Sequence, residues 1–173
     1  MYRMRAGTLG ALLALAGCAA GYRDASAPVS SLAVFEPVRF AGTWIEVARY
    51  PVAFEADCLS VAADYRLGPE GRFAVERRCR TAGGERVTAG TARPAGPGRL
   101  KLRLDGVRGE IDWWVLWADA DYRTAVIGAP SGRMGWILNR DPAIPADRLR
   151  AARAVLAFNG YDPGRLEMSG GPG

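Results

Sequence analysis

Residues 40–50 read FAGTWIEVARY and predict a glycine turn that leads into a β-strand. Gly42 has no side chain, so the backbone at this position can turn tightly or approach another segment closely. From Trp44 onward the side chains alternate between two faces, with Trp44 and Glu46 on one face and Val47 on the other. Neither face is uniformly polar, so the alternation predicts a strand without deciding which face points inward.

The composition suits one globular domain. The chain has 173 residues, of which 49% are hydrophobic. It contains no histidine and three cysteines, so the commonest general base and the usual zinc sites are missing, and we expect neither a metal nor a cofactor. Arginine carries almost all of the +5 net charge, since Lys101 is the only lysine. These arginines are scattered among acidic residues, which predicts a solvated surface rather than nucleic-acid binding.

The charge and hydrophobicity pattern of residues 1–17 predicts a signal peptide. Arg3 and Arg5 form a charged start, and an apolar run follows at residues 9–15. This run is too short to span a bilayer but has the length of a secretory signal.

The signal ends in the sequence LAGC at residues 15–18, which resembles a bacterial lipobox. The resemblance implies cleavage before Cys18 and attachment of several acyl chains to it, enough to hold a protein stably at a membrane. Ala19 rather than aspartate follows Cys18, which favours the outer membrane, with the protein facing the periplasm. The alternative is a secreted protein in which Cys18 occurs by chance. Residues 18–34 thus combine the lipidated Cys18 with a segment rich in Ala, Ser, Gly and Pro, which predicts a flexible tether.

The folded domain is predicted at residues 35–168, with a frayed tail at 169–173. Eight short segments follow one another at hairpin spacing, punctuated by glycine and proline. They predict an all-β, eight-stranded antiparallel up-and-down barrel, which closes on itself and can enclose one small ligand. Residues 147–158 follow the spacing of an amphipathic α-helix, which we place outside the barrel. The predicted strands begin at Trp44 and continue at residues 61–67, 72–79, 87–93, 100–104, 113–117, 122–127 and 134–140.

Three motifs point to a known family. Residues 42–49 read GTWIEVAR, residues 119–122 read DADY and residues 136–140 read WILNR. In this order and spacing they resemble the signature motifs of the lipocalins, in the bacterial and apolipoprotein-D-like branch. The resemblance covers the whole predicted domain and implies a barrel with a ligand cup. It also implies that Trp44 and Arg140 close one end of the barrel, with the guanidinium over the indole face.

The resemblance implies a ligand contact at Trp136, which shares a strand face with Arg140. The alternative is a core tryptophan that touches only protein. One of Trp113 and Trp114 must also face the cup, because adjacent strand positions point in opposite directions. We take Trp113 as the candidate and leave the choice of face open. Two further candidates for the cup wall are Ala63 and Tyr65.

Arg77 departs from the family pattern, which has a small polar residue at this position. If its side chain points inward, the buried cation needs an anion, and a fatty-acid carboxylate or a lysophospholipid phosphate would fit. The alternative is that the long side chain extends to the rim of the barrel and keeps its charge in water.

Cys58 and Cys79 flank the first predicted hairpin, 21 positions apart. Folding the hairpin about Pro69 brings the two thiols together, and the oxidising periplasm favours a disulfide. A redox-active pair is the alternative, although the C-x-x-C spacing typical of such pairs is missing.

Together these features predict a lipid-anchored binding protein that stores or transports fatty acids or lysophospholipids, as a monomer or homodimer. We expect no catalytic residue. One alternative is an enzyme in which Glu46 acts as a lone acid, although the chain has neither histidine nor a G-x-S-x-G motif. Another is a structural envelope lipoprotein whose barrel is filled by its own side chains. The large side chains of the tryptophan-rich residues 113–117 are compatible with this alternative.

Overall fold

The computed structural model describes residues 21–170, and these contain nine β-strands and two α-helices. The predicted signal peptide, Cys18 and the last three residues of the predicted tail lie outside the described residues. The α-helices are α1 (Pro37–Phe40) and α2 (Ala146–Phe158). The strands are β1 (Gly42–Arg49), β2 (Ser60–Leu67), β3 (Phe73–Thr81), β4 (Gly84–Pro94), β5 (Arg99–Leu104), β6 (Ile111–Ala118), β7 (Thr124–Gly128), β8 (Gly135–Asn139) and β9 (Glu167–Met168).

Strands β1 to β8 form a closed antiparallel barrel, which confirms the predicted fold. Each strand pairs with the next, and β8 pairs back onto β1, with Ile45 opposite Asn139 and Arg49 opposite Trp136. The first half of β1 also pairs with β2. The short β9 pairs with the second half of β1 through Ala48. Closure pairs each of the eight strands on both sides, which removes the free edges of an open sheet.

The two ends of the barrel differ, and we call them the base and the mouth. The β4–β5 loop at residues 95–98 and helix α1 lie at the base. The lid segment, residues 50–59, joins β1 to β2 at the mouth. The β7–β8 loop, residues 129–134, lies beside the lid segment, since the backbone N–H of Tyr50 donates at 2.9 Å to the carbonyl oxygen of Gly135, the residue that follows this loop.

The barrel interior is a continuous apolar core, and it shows which face of each strand points inward. On β6 the inward tryptophan is Trp113, which is 1% exposed, while Trp114 lies outside beneath the guanidinium of Arg99 at 4.2 Å from the ring centroid. On β1 the inward face carries Trp44 and Glu46. Other large side chains of this core are Phe40, Tyr65, Phe73, Leu100, Leu102, Leu104, Ile127, Trp136 and Leu138.

A second apolar layer lies outside the barrel. Helix α2 packs Ala152 and Leu156 against the outer faces of the neighbouring strands, where Val47 and Ile137 are buried. Strand β1 is therefore covered on both faces, which explains why the alternation around Trp44 could not reveal the inward side.

The predicted flexible tether does not hold for residues 21–34, which we call the N-terminal strap. The backbone N–H of Tyr22 donates to the carbonyl oxygen of Gly132 at 2.6 Å, and the N–H of Leu32 donates to that of Val115 at 2.7 Å. The composition of the strap indicated flexibility, but several of its backbone donors find acceptors outside the strap, and its one tyrosine, Tyr22, packs on the ring of Tyr50 in the lid segment. Within residues 21–170, no helix has the length and apolar character needed to cross a bilayer.

Candidate functional site

The base of the barrel is plugged by Arg140 and Trp44. The guanidinium carbon of Arg140 lies 3.7 Å from the centroid of the Trp44 ring. Arg140 also donates hydrogen bonds to the carbonyl oxygens of Thr43, Arg39 and Ala41 at 2.7–2.9 Å. The indole N–H of Trp44 donates to the carbonyl oxygen of Phe40 at 2.7 Å, so α1 is held against the base. The contact has the geometry that the resemblance implies.

The mouth is covered by the lid segment. A 3₁₀ turn at Ala53–Glu55 directs the side chains of Phe54 and Glu55 into the barrel, and Glu55 is only 2% exposed. The disulfide between Cys58 and Cys79 joins the lid segment to β3, with the two Cα atoms 5.4 Å apart, which confirms the predicted pair. The lid segment is thus held by a covalent link and by the polar contacts of Glu55.

Those contacts centre on Arg77, whose guanidinium lies between two buried carboxylates. Its Nη2 atom is 3.3 Å from Oε2 of Glu46 and also donates to Oε1 of Glu55. The indole N–H of Trp136 donates to the other oxygen of Glu55 at 3.1 Å, and Arg49 pairs with Glu46 at 3.0 Å. Arg77 is 5% exposed, so of the two alternatives for its side chain the structure shows the inward one, and the charge does not lie in water at the rim.

Burial and charge shift the proton affinities in this cluster. Burial, reinforced by the neighbouring Glu55 carboxylate, raises the pKa of Glu46 to about 8, although Arg77 and Arg49 oppose the change. Burial disfavours the charged guanidinium of Arg77, but the carboxylates of Glu55 and Glu46 outweigh burial and raise its pKa. Arg77 therefore stays charged, while the raised pKa of Glu46 lets this carboxyl group exchange a proton near neutral pH.

The anion that a buried Arg77 requires is supplied by the protein itself. The alternation along β1 predicted that Glu46 shares a face with Trp44. No pattern in the sequence singled out Glu55 as a partner of Arg77. Glu46 does not stand alone, because its carboxylate pairs with Arg49 and Arg77, and the alternative in which it acts as an acid stays a prediction.

Hydrogen-bonding capacity nevertheless remains inside the barrel. Within residues 21–170, the buried Nη1 of Arg77, the indole nitrogen of Trp113 and the hydroxyl of Tyr65 find no hydrogen-bond partner. Buried donors of this kind are normally satisfied, so these three groups can still form hydrogen bonds to a molecule that enters the barrel.

The open space lies just below the mouth. A cavity of about 230 Å³ is lined by Arg77, Glu55 and Phe54 together with Val61 and Leu104. Of the residues predicted to bind ligand, Arg77 lines this cavity. The others all point into the barrel but pack against protein, with the rings of Trp113 and Trp136 4.5 Å apart. Ligand contact at these residues, which are Trp136, Trp113, Tyr65 and Ala63, stays a prediction.

One group of residues in the described part of the chain has the spacing of metal ligands. Asp57, Cys58 and Cys79 place their donor atoms within 4.8 Å of one another. Because the two sulfur atoms are bonded to each other, they offer no thiolates, and the group does not suit a metal ion.

Comparisons with known proteins agree with this architecture. A lipocalin-like domain matches residues 36–170. The chain is 30% identical to temperature-induced lipocalin-1 of Arabidopsis thaliana over 142 residues, 76% of each chain. It is 29% identical to outer membrane lipoprotein Blc of Escherichia coli over 143 residues, 80% of this chain and 81% of that one.

A solved structure shares the fold. The structure of insecticyanin from Manduca sexta superimposes with a TM-score of 0.66 over 83% of this chain and 85% of that one, at 19% identity. The domain match spans the barrel, α2 and β9, and the closed eight-stranded architecture is the one that the motifs imply. The chain therefore belongs to the lipocalin family.

Proposed function

We propose that this protein is a non-enzymatic carrier of amphipathic lipids, with fatty acids or lysophospholipids as its ligands. Membership of the lipocalin family and the closed barrel support the binding of a small hydrophobic molecule. We further propose a lipid anchor at Cys18 and a place on the bacterial outer membrane facing the periplasm. The LAGC sequence and the likeness to an outer membrane lipoprotein support this part of the proposal.

The observation that carries the choice of ligand is the position of Arg77. Its guanidinium lies inside the barrel, lines the cavity and keeps one nitrogen without a partner among the described residues. A carboxylate or phosphate at this nitrogen would form a charge-assisted hydrogen bond away from water, where such bonds are strong. The acyl chain would add about 0.8 kcal/mol per buried methylene before the costs of binding.

The cavity has to enlarge to admit a long acyl chain. Its volume of about 230 Å³ is below the range of roughly 300–1,000 Å³ that is usual for ligand pockets. The side chains at the mouth that fill the remaining space are Phe54 and Glu55, and both belong to the lid segment. We therefore expect the lid segment to move outward when a ligand enters.

The charges around Arg77 allow the head group of a ligand to replace Glu55. When the lid segment opens, the carboxylate of Glu55 leaves the Nη2 atom of Arg77, and the anionic head group of the ligand, bound at the free Nη1 atom, replaces its charge. The number of charges beside Arg77 is then unchanged, which avoids an unpaired cation in the apolar interior. A neutral lipid of the same chain length provides no such replacement, so the site should prefer anions.

Ligand binding to the delipidated protein tests the proposal. Tryptophan fluorescence and native mass spectrometry would compare palmitate with hexadecanol, which has the same chain length and no charge. Wild type should bind palmitate more tightly. Glu55→Gln should tighten palmitate binding further, because the competing carboxylate is gone, whereas Glu85→Gln at the exposed start of β4 should leave it unchanged. Equal binding of palmitate and hexadecanol would refute the role of Arg77.

A filled barrel is the second candidate function, and the tightly packed rings of Trp113 and Trp136 favour it. In that case the protein would be a structural lipoprotein of the envelope. This alternative predicts that neither lipid binds, even to Phe54→Ala, in which the lid segment has lost its inward aromatic side chain.

A further inference from the structure

The N-terminal strap runs along the whole barrel, from the mouth to the base. Near the base, the hydroxyl of Ser31 donates to the carbonyl oxygen of Pro97 at 2.9 Å. At the other end, Gly21 lies against Gly132 in the β7–β8 loop of the mouth. The first described residue of the chain is therefore at the mouth.

Tyr22 fixes this end of the strap to the lid segment. Its ring stacks on that of Tyr50 with centroids 4.8 Å apart, and its hydroxyl donates to the carbonyl oxygen of Pro51 at 2.8 Å. Its backbone carbonyl accepts from the N–H of Asp162 at 2.9 Å. Arg165 donates to the carbonyl oxygen of Gly21 at 3.1 Å, so the strap is held from both sides.

Two glycines make room for the strap, Gly132 in the β7–β8 loop and Gly160 just after α2. A Cβ atom at Gly132 would lie 2.4 Å from Cβ of Arg23, and one at Gly160 would lie 2.8 Å from Cβ of Ala27. Both glycines also have positive φ angles, 66° and 82°. The strap thus fits against positions where any side chain would push it away.

The position of Gly21 limits how far the mouth can lie from a lipid anchor. Cys18 precedes Gly21 by three residues, and three residues of fully extended chain span at most about 11 Å. A tether of residues 18–34 would have allowed the barrel to turn freely above the membrane, but the strap leaves only residues 18–20 before the fixed part of the chain.

We propose that the mouth of the barrel faces the phospholipid surface of the membrane that holds the anchor. The proposal rests on the lipidation of Cys18 given under the proposed function. Among the exposed groups at the mouth, Arg108 and Arg133 can reach lipid phosphates, and Leu59 is 53% exposed. A ligand would then pass between the bilayer and the cup beneath the lid segment without crossing open water.

Fluorescence quenching on vesicles tests this orientation. The full-length, lipidated protein would be reconstituted into vesicles of phosphatidylethanolamine and phosphatidylglycerol that contain a lipid with a nitroxide on its head group. A fluorophore would be attached at Ser131→Cys in the β7–β8 loop or, as the matched control, at Ala95→Cys in the β4–β5 loop. Both positions are exposed. We expect quenching at the mouth position to exceed that at the base position at least threefold, and equal or reversed quenching would overturn the proposal.

A longer tether provides the second measurement. Twenty Gly/Ser residues inserted between Ala20 and Gly21 would have a typical end-to-end distance of about 25 Å, enough to let the barrel rotate. The difference in quenching should disappear while the protein still floats with the vesicles, and a difference that survives the insertion would overturn the role of the strap.

Mass analysis of the N-terminal peptide separates the two proposals. A peptide without acyl chains on Cys18 would overturn both the anchor and the orientation. A lipidated peptide combined with equal quenching at the two positions would overturn the orientation and leave the anchor standing.

Discussion

Replacement of Arg77 by methionine provides the sharpest test of the buried charge cluster. The variant keeps a long apolar side chain but removes the cation shared by Glu46 and Glu55, each of which is 2% exposed. Removing one partner of a buried ion pair usually costs about 3–5 kcal/mol, because the remaining charge is left without compensation. For a domain of this size, each kcal/mol corresponds to roughly 2–4 °C in the melting temperature, so we expect a decrease of about 6–20 °C.

The pH and a second substitution distinguish this explanation from simple loss of packing. Without Arg77, Glu46 binds a proton more readily, so the loss of stability should be smaller at pH 5 than at pH 8. Arg77→Met combined with Glu55→Gln removes one positive and one negative charge and leaves the pair of Glu46 and Arg49, which lie 3.0 Å apart. This double variant should recover most of the lost stability.

Urea unfolding followed by tryptophan fluorescence measures these changes, because Trp113 and Trp136 are buried. Arg93→Met is the matched control, since Arg93 pairs with Glu110 on the outside of the barrel in contact with solvent, and its loss should leave the unfolding midpoint almost unchanged. If Arg77→Met unfolds at the same urea concentration as wild type, or if the double variant is no more stable than the single one, the cluster does not stabilise the fold in the way described.

Three further predictions concern the base, the proton on Glu46 and the disulfide. Arg140→Ala should lower the free energy of unfolding by about 2–4 kcal/mol, because several carbonyl oxygens at the base lose a charged donor, and an unchanged urea midpoint would contradict this role. The pKa of Glu46 is raised from 4.5 to about 8, so the folded state holds the proton more tightly than the unfolded state, and stability should fall as the pH rises from about 4.5 to about 8. Glu46→Gln should flatten this decline, and a pH profile as steep as that of wild type would assign it to another group. Reduction of the disulfide between Cys58 and Cys79 should lower the free energy of unfolding by about 3 kcal/mol, measured by urea unfolding with and without dithiothreitol, whereas superimposable curves would show that the link adds no stability.

The sequence alone was sufficient for the elements whose signal is local. Short apolar or alternating segments, separated by glycine and proline at hairpin spacing, predicted the eight strands of the barrel, and the three-four spacing of residues 147–158 predicted α2 to within one residue. The motifs around Trp44 and Arg140 marked the closed end, and Cys58 and Cys79 could be paired because a single hairpin joins them. Each of these signals depends on neighbouring residues or on one turn, so it can be read before the chain is folded.

The grouping of charges in the candidate site could be found only from the tertiary structure. Glu55 pairs with Arg77 across 22 positions, and Glu46 pairs with it across 31, distances at which no periodicity links the residues. Only closure of the barrel and entry of the lid segment bring the three charges together. Likewise, only the pairing of strands shows that Trp113 points inward. It lies opposite Leu100 of β5, whose side chain is buried in the barrel.

The same division applies to the whole protein. The residues by themselves determined eight strands and an outer helix, because strand and helix periods are properties of short segments, and the family motifs indicated that the strands close into a barrel. Only the tertiary structure decided which acid compensates Arg77, how little space remains in the cup and that the strap lies on the barrel. These features depend on contacts between segments far apart in the chain, and on burial, which changes the free energy of a charge only after the surrounding core has formed.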